Sequence, residues 1–283
     1  MEARWKKYLV ALAIILLAGG FQAAGQGRIY TRKARLADFQ TKTTKVVLSG
    51  DNLLDMALRE EVRRRWRISP FEFCDPEDFD FLKNDASYYF LYLAQDKSGM
   101  AYMTLMKGGN DESFRSTDSK LEVVKIPFSP VAVTTGRELV YISALIDIVQ
   151  TFVEESLTST TKTVLGLSSY NGNLSKARKK KIYFAREDLE TDALPAGLVA
   201  ADNFQADSVF NAGSKDALVA FTISPASPGR RARSFNFIVA PDTHDLYYYQ
   251  ARSYSKPGTR GFSKSEIKAI RREHKYRDEK RKK

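Results

Sequence analysis

Apolar and polar residues are distributed along the first half of the chain in a pattern that predicts both strands and helices. The segment "DNLLDMALREEVRRRW" has an apolar residue at every fourth position from Leu54 to Trp66, which is the spacing of one helix face. A short helix that begins with Pro76 is also expected. Segments rich in β-branched and aromatic residues predict strands, namely "KVVLSG", "RISPFEF", "SYYFLYLA", "MAYMTLMKG" and "KLEVVKIPF". The predicted order is strand, helix, strand, helix and then three strands.

The sequence predicts a central place in the sheet for one of these strands and an edge place for another. "SYYFLYLA" is apolar throughout, which is typical of a strand buried on both faces at the sheet centre. "RISPFEF" contains Pro70, and proline is tolerated mainly at sheet edges because it cannot donate a ladder hydrogen bond. We therefore expect this second strand to be irregular or to lie near an edge.

The longest predicted helix lies at the middle of the chain, in "TTGRELVYISALIDIVQTFVEESL". Its apolar residues follow helical spacing, and four acidic residues, Asp147 among them, exclude a membrane span. We predict that this helix, within residues 135–160, bridges the two halves of the molecule. The polar and basic segment 161–181 predicts a linker.

The second half of the chain repeats the pattern of the first. "KIYFARED" follows a basic run as "RISPFEF" follows "RRRW", and "KDALVAFTIS" resembles "NDASYYFLYLA" in place and character. "SFNFIVAP" and "LYYYQARSY" supply two more strands. This correspondence predicts an internal duplication. The expected fold class is α+β, with two similar lobes at residues 26–134 and 182–262, each a mixed β-sheet with packed helices.

The amino terminus has the residue order of a secretory signal peptide. Three basic residues precede an apolar run from Tyr8 to Ala18, and small residues follow up to Gly25. The run is shorter than the roughly 20 residues of a membrane-spanning helix. We predict removal of residues 1–25 and export to the periplasm or outer envelope. Cleavage after Ala24, or retention of the segment as an anchor, are the alternatives.

The net charge and the predicted export limit the classes of partner that we expect, and the cysteine content limits the possible disulfides. The whole chain carries a net charge of +11, and removal of the predicted signal peptide leaves +9, which favours anionic partners. An exported protein does not meet the genome, so nucleic acid is not expected. The expected partner is an envelope protein or an anionic surface of lipid head groups, lipopolysaccharide or acidic glycan. The single cysteine, Cys74, excludes an intramolecular disulfide and predicts a buried apolar side chain.

Basic residues concentrate at three places, of which the tail at residues 263–283 is the longest. Ser263 and Glu266 have the spacing of a capping box, and Ile267 and Ile270 offer an apolar edge for docking. The alternative is a solvated, frayed end. The side chains that we expect to contact an anionic partner are Arg59, Arg63, Arg64, Arg178, Lys179, Lys180, Lys181, Arg271 and Arg272.

Both histidines lie in polar surroundings. His274 belongs to the charged tail and is expected to be solvated. "APDTHDLYYY" places Asp242, His244 and Asp245 in a turn between two strands, and a polar hairpin turn is the favoured interpretation. Because carboxylates and imidazole can ligate a metal or act as acid and base, a hydrolase or metal-dependent enzyme centred on this turn is the alternative. A third interpretation is a small-ligand or glycan-binding module that uses the tyrosines at 247–249.

The helix with a basic end, the following strand, the short helix and "ASYYFLYLA" together resemble the amino-terminal domain of TolB and the related fold of CsgG-like envelope proteins. The resemblance covers roughly Lys45–Ala94 and Lys181–Ser224. The whole chain also resembles an uncharacterised family of exported Bacteroidota proteins that carry a block like "LREEVRRRW" followed by "SPFEF". These resemblances imply an envelope protein with a binding role and carry over no catalytic residue.

The sequence therefore predicts a non-enzymatic periplasmic or envelope-associated binding or scaffolding protein. It offers no catalytic residue, metal-ligand set or cofactor motif with the spacing of a known site.

Overall fold

The computed structural model describes residues 36–109, 122–131, 136–159, 165–191 and 193–277. The predicted signal peptide and the last six residues of the basic tail lie outside these ranges. Within them, no helix combines the length and the hydrophobicity needed to cross a membrane.

The first lobe is a five-stranded mixed sheet with one helix on each face. Its elements are β1 (Thr43–Val47), α1 (Asn52–Arg65), β2 (Phe71–Cys74), α2 (Pro76–Leu82), β3 (Tyr88–Gln95), β4 (Met100–Lys107) and β5 (Glu122–Pro130). The strand order is β2-β1-β3-β4-β5, with β1 parallel to β2 and β3 and the remaining pairs antiparallel. The strand after Pro70 lies at an edge and "SYYFLYLA" lies at the centre, as the pattern predicted.

Two helices and a run of 3-10 turns connect the lobes. They are α3 (Arg137–Val140), α4 (Ile142–Thr158) and the 3-10 segment Gly166–Lys176. The longest described helix is α4, and nearly all of its residues from Ile142 to Val153 are buried. The 3-10 segment falls in the predicted linker, yet it is folded against the second lobe.

The second lobe repeats the topology of the first. Its elements are β6 (Lys181–Ala185), β7 (Leu198–Ala201), α5 (Asn203–Asn211), β8 (Ala217–Ile223), β9 (Arg233–Val239), β10 (Leu246–Ser253) and the terminal α6 (Lys264–His274). The order β10-β9-β8-β6-β7 has the same parallel and antiparallel pairs as the first sheet. The α+β fold with two similar lobes is therefore confirmed.

One detail of the predicted correspondence is wrong. "KIYFA" takes the place of β1, since it pairs in parallel with both of its neighbours, and "LVAA" takes the place of "FEFC". Where α1 follows β1 in the first lobe, the described residues between β6 and β7 contain the 3-10 turn Arg186–Asp188 and no α-helix. The pattern did not reveal this strand because "LVAA" has four residues and only one β-branched residue, so it carries little of the usual strand signal.

The two lobes share one hydrophobic core. A single cluster joins Leu58 and Val62 of α1, the buried face of α4, and the inner face of the second sheet. Tyr102 of β4 makes an edge-on contact with Phe235 of β9, with ring centroids 6.0 Å apart. Tyr141 stacks on Phe221 of β8 at 3.9 Å. Contacts of this kind hold the lobes together as one body.

Candidate binding sites

The basic residues predicted on α1 are engaged in contacts within the first lobe. The guanidinium groups of Arg59 and Arg63 lie 5.0 and 5.4 Å from the ring centroid of Phe73, within the range of a cation–π contact. Arg64 lies 3.7 Å from Glu60 and 3.5 Å from Glu61. Arg64 is therefore paired with carboxylates, whereas Arg59 and Arg63 lie over an aromatic ring and keep their positive charge.

The basic run at 178–181 joins the 3-10 segment to β6. Arg178 Nε donates to the Ser175 carbonyl at 3.1 Å, and Lys180 Nζ lies 3.4 Å from Asp242. Lys179 and Lys181 are exposed. Arg178 also accepts a backbone hydrogen bond from Arg277 N at 2.8 Å, which brings this run beside the end of the tail.

The tail helix α6 is part of the second lobe. Ser263 Oγ accepts from Glu266 N at 3.2 Å, which confirms the predicted helix start. Ile267 and Ile270 are buried in the core of the second lobe. His274 is 1% exposed, and its Nε2 lies 2.8 Å from the Ala177 carbonyl, so the expectation of a solvated histidine is wrong. Burial lowers the pKa of His274 despite the hydrogen bonds to backbone carbonyls.

The exposed side of α6 forms a basic groove. Gly197 makes room for the ring of Tyr276, since a Cβ at position 197 would lie 2.3 Å from that ring. The groove has a volume of about 840 Å³, and five cations but no carboxylate occur among the described residues that line it. These lining residues are Ala196, Ser265, Lys268, Ala269, Arg271, Arg272, Lys275, Tyr276 and Arg277.

Two of the three predicted basic clusters therefore meet on the second lobe. Arg271 and Arg272 line the groove, and Arg178 adjoins it through the backbone bond to Arg277. Arg59, Arg63 and Arg64 lie on the other lobe. Sequence reasoning did not single out Lys268, Lys275 and Arg277 among the basic residues of the tail, and Lys275 and Arg277 follow the end of α6 at His274.

His244 is buried between the lobes and not at an exposed hairpin tip. It lies in the turn between β9 and β10, adopts φ 57° and is 9% exposed. This left-handed conformation costs a non-glycine residue roughly 1 kcal/mol. Its ring stacks on Phe210 at 5.3 Å, and Nδ1 lies 2.8 Å from Asp147 Oδ2. The orientation of the imidazole ring is thus fixed by the backbone conformation, by the stack on Phe210 and by the contact of Nδ1 with Asp147.

Asp147 is the centre of a polar network between the lobes. Arg65 Nη1 donates to Asp147 Oδ2 at 2.8 Å, and Gln150 Nε2 donates to Oδ1 at 3.1 Å. Burial alone would raise the pKa of Asp147, but the hydrogen bond from His244 and the charge of Arg65 lower it below its ordinary value. Because Asp147 is a carboxylate, His244 Nδ1 carries the hydrogen and donates. The network joins α1, α4 and the β9–β10 turn.

A polar cavity of about 250 Å³ lies beside His244, between α4, the 3-10 segment and β10. Tyr170 Oη donates to Glu155 Oε2 at 2.6 Å along its wall. Of the predicted tyrosines, Tyr247 lines this cavity, whereas the other two are buried in the lobe. The lining residues are Ile148, Thr151, Glu155, Tyr170, Asn173, Lys176, His244, Asp245, Leu246 and Tyr247.

The fold separates the side chains of the turn that was considered as a metal site. Asp245 faces the cavity with His244, whereas Asp242 pairs with Lys180. Among the described residues, no three His, Cys, Asp or Glu side chains are placed to hold a metal ion. Sequence reasoning missed Asp147 as the partner of His244, although an aspartate inside the apolar run "ALIDIVQTF" is itself a signal of a buried polar contact.

Comparison of the chain with family models, curated proteins and solved structures finds no match. The resemblance to the TolB amino-terminal domain, to CsgG-like proteins and to the Bacteroidota family stays a prediction.

Proposed function

We propose that the protein is a non-enzymatic, envelope-associated binding or scaffolding protein whose second lobe contacts an anionic envelope surface. The observation that carries this proposal is the basic groove on α6, where Lys268, Arg271, Arg272, Lys275 and Arg277 converge without a lining carboxylate. Export, which the amino-terminal residue order predicts, would bring the groove to lipid head groups and acidic glycans.

The packing of α6 makes the groove a fixed surface. Ile267, Ile270 and His274 bury one side of the helix, so the basic side chains on the other side keep their spacing. Each lysine or arginine near an anionic membrane contributes about 1 kcal/mol to binding. Removal of three of these charges should weaken binding by roughly 100-fold, because about 1.4 kcal/mol corresponds to a factor of ten.

The test is binding to phosphatidylglycerol vesicles at low and high salt, measured by co-sedimentation. The triple variant Lys268→Ala, Arg271→Ala, Arg272→Ala should lose about 100-fold in partitioning, and the wild-type protein should be released by salt. These exposed helix positions tolerate alanine, so the fold is retained, as circular dichroism would check.

The first lobe provides the matched control. The variant Arg59→Ala, Arg63→Ala, Arg64→Ala removes the same charge from α1, which lies on the other lobe, and should bind nearly as well as wild type. Equal losses in the two triple variants would show that only net charge matters. The proposal is overturned if wild-type protein does not bind phosphatidylglycerol vesicles at low salt.

A second candidate function is acid–base chemistry at His244. It is favoured by the Asp147–His244 pair, in which Nδ1 is held and the ring lines the polar cavity with Thr151 and Glu155. Hydrolysis of p-nitrophenyl acetate is a direct assay. Turnover that depends on the pH and disappears in His244→Asn would support this function. If wild-type protein hydrolyses the ester no faster than buffer alone, this function is refuted.

A further inference from the structure

The polar cavity beside His244 is lined by three side chains whose hydrogen-bonding capacity is not used within the described part of the chain. His244 is 9% exposed, and its Nδ1 is held by Asp147, so Nε2 is the ring nitrogen that remains for the cavity. No hydrogen bond from the described residues reaches His244 Nε2, Thr151 Oγ1 or Tyr247 Oη, and all three side chains line the same space. Because buried polar groups are normally hydrogen-bonded, this set indicates a site that a polar ligand can fill.

These three groups differ in what they donate and accept. Because His244 Nδ1 donates to Asp147, Nε2 is an acceptor. The hydroxyl groups of Thr151 and Tyr247 can each donate and accept. A ligand that satisfies all three groups must carry several groups that also donate and accept. Hydroxyl groups have this property, so the lining favours a ligand with several hydroxyl groups.

The charged groups of the lining favour neither sign of ligand. Glu155 and Asp245 each accept a hydrogen bond from a neighbouring hydroxyl group, and Lys176 Nζ donates to Asn173 Oδ1 at 2.9 Å. A cationic ligand would meet Lys176, and an anionic ligand would meet the two carboxylates. A neutral ligand avoids a like charge on every side of the cavity.

The volume and the apolar part of the lining fit one sugar ring. An apolar cavity of about 150 Å³ holds benzene, so the 250 Å³ of this cavity leaves room for a six-membered ring with its hydroxyl groups. Ile148, Leu246 and the ring of Tyr247 supply apolar surface for the C–H groups of such a ring. Ligand sites commonly combine apolar surface with a few polar groups that fix the orientation of the ligand.

We propose that the cavity beside His244 binds a neutral monosaccharide in its pyranose form. One hydroxyl group of the sugar donates to His244 Nε2, and others bond to Thr151 Oγ1 and Tyr247 Oη. The site is separate from the basic groove on α6. It shares His244 with the proposed acid–base chemistry, but sugar binding requires no turnover, so ester hydrolysis and sugar binding can succeed or fail independently of each other.

The test is a titration of the full chain with D-glucose, in which isotope-labelled histidine rings are followed by NMR. The chain contains two histidines, so His244 is observed together with His274, whose Nε2 contacts the Ala177 carbonyl and which serves as the internal control. We expect a saturable shift of His244 Nε2 with a dissociation constant of about 1 mM, as a ligand of this size allows, and no shift of His274. Tetrahydropyran, which has the same ring without hydroxyl groups, should cause no saturable shift.

Two conservative substitutions test the contacts of the sugar. Thr151→Val and Tyr247→Phe each remove one hydroxyl group and keep the shape of the side chain, and each should weaken glucose binding about fivefold, as the loss of one net hydrogen bond implies. The double variant should bind about 25-fold more weakly if the two effects add. Thr158→Val is the matched control, because Thr158 is an exposed residue of α4 that does not line the cavity. It should leave glucose binding unchanged.

The proposal is overturned if glucose shifts neither histidine or shifts both alike, if Thr151→Val and Thr158→Val bind glucose equally, or if tetrahydropyran binds as tightly as glucose. Glucosamine and glucuronate are the cationic and anionic counterparts. If either one binds at His244 more than about tenfold tighter than glucose, the assignment of a neutral ligand is overturned as well. Circular dichroism of each variant separates loss of the site from loss of the fold.

Discussion

Replacement of Asp147 by asparagine removes the charge on which the contacts between the lobes converge. Asp147 accepts hydrogen bonds from Arg65 at 2.8 Å, from His244 at 2.8 Å and from Gln150 at 3.1 Å. Asparagine keeps the shape of the side chain but presents an NH₂ group to at least one of these donors. The variant therefore leaves Arg65 without part of its compensation in a half-buried place.

The magnitude follows from burial and from the number of bonds. The side chain of Asp147 is 11% exposed and that of Arg65 is 25% exposed, so the pair lies between the surface and the buried limits. Surface pairs contribute up to about 1 kcal/mol, and breaking a buried pair costs about 3–5 kcal/mol. Arg65 keeps Glu61, which limits the loss. We expect Asp147→Asn to lower the free energy of unfolding by about 3 kcal/mol, or the melting temperature by about 9 °C.

Urea unfolding followed by circular dichroism and by the fluorescence of Trp66, which lies next to Arg65, measures this loss. Asp245→Asn is the control, because Asp245 is exposed in the same turn and its carboxylate accepts a hydrogen bond from Thr243 Oγ1. It should cost less than about 0.5 kcal/mol. A double-mutant cycle with His244→Asn should show coupling of at least about 1 kcal/mol. Losses below about 0.5 kcal/mol for Asp147→Asn, or additive effects in the cycle, would refute the network as a link between the lobes.

Three further predictions concern the second lobe. Asn171→Ala removes both hydrogen bonds to the backbone of Tyr249 on the β10 edge and should destabilise the protein by about 2 kcal/mol in urea unfolding, because buried backbone groups lose their partners; a loss below about 0.5 kcal/mol would contradict this. Burial lowers the pKa of His274 in the folded state, so the unfolded chain binds more protons than the folded chain just below pH 6.5. The contribution of His274 to the free energy of unfolding should therefore be fully present above pH 6.5 and should decrease as the pH falls below it. His274→Gln should reduce this slope between pH 7.5 and 5.5, and an unchanged slope would assign it to other groups. Gly197→Ala should displace Tyr276 and increase proteolysis of the tail, because the new Cβ overlaps the ring; unchanged proteolysis would argue against this docking.

Elements with strong local patterns could be predicted from the sequence. The edge place of "FEFC" follows from Pro70, the central place of "SYYFLYLA" follows from its uniform hydrophobicity, and the longest helix follows from the spacing of its apolar residues. In each of these segments the local pattern and the final contacts agree. The similarity of the two lobes was also visible, because the strands after α2 and α5 have the same character.

The candidate sites could be predicted only in part, because they depend on contacts between distant segments. Asp147 and His244 are separated by most of the second lobe in sequence, and no local pattern shows that they meet. His274 was misinterpreted because its charged neighbours outweighed a simpler signal. Ile267, Ile270 and His274 share one helical face, and this spacing places the histidine on the buried side.

The two lobes differ in the helices that cover their sheets, and this difference accounts for the packing of α6 on the second lobe. In the first lobe α1 and α2 cover opposite faces of the sheet. In the second lobe α5 takes the place of α2, with Phe210 facing the shared core. Among the described residues between β6 and β7, no α-helix stands in the place of α1.

The face that a helix after β6 would cover carries Ile182, Phe184, Leu198 and Leu218, and these side chains pack with Ile267 and Ile270 of α6. Helix α6 therefore covers, with the 3-10 segment beside it, the face of the second sheet that corresponds to the face covered by α1 in the first lobe. A truncation before α6 would expose this apolar face, so it would test stability and not binding. Substitutions on the exposed side of α6 are for this reason the informative way to separate the basic groove from the core beneath it.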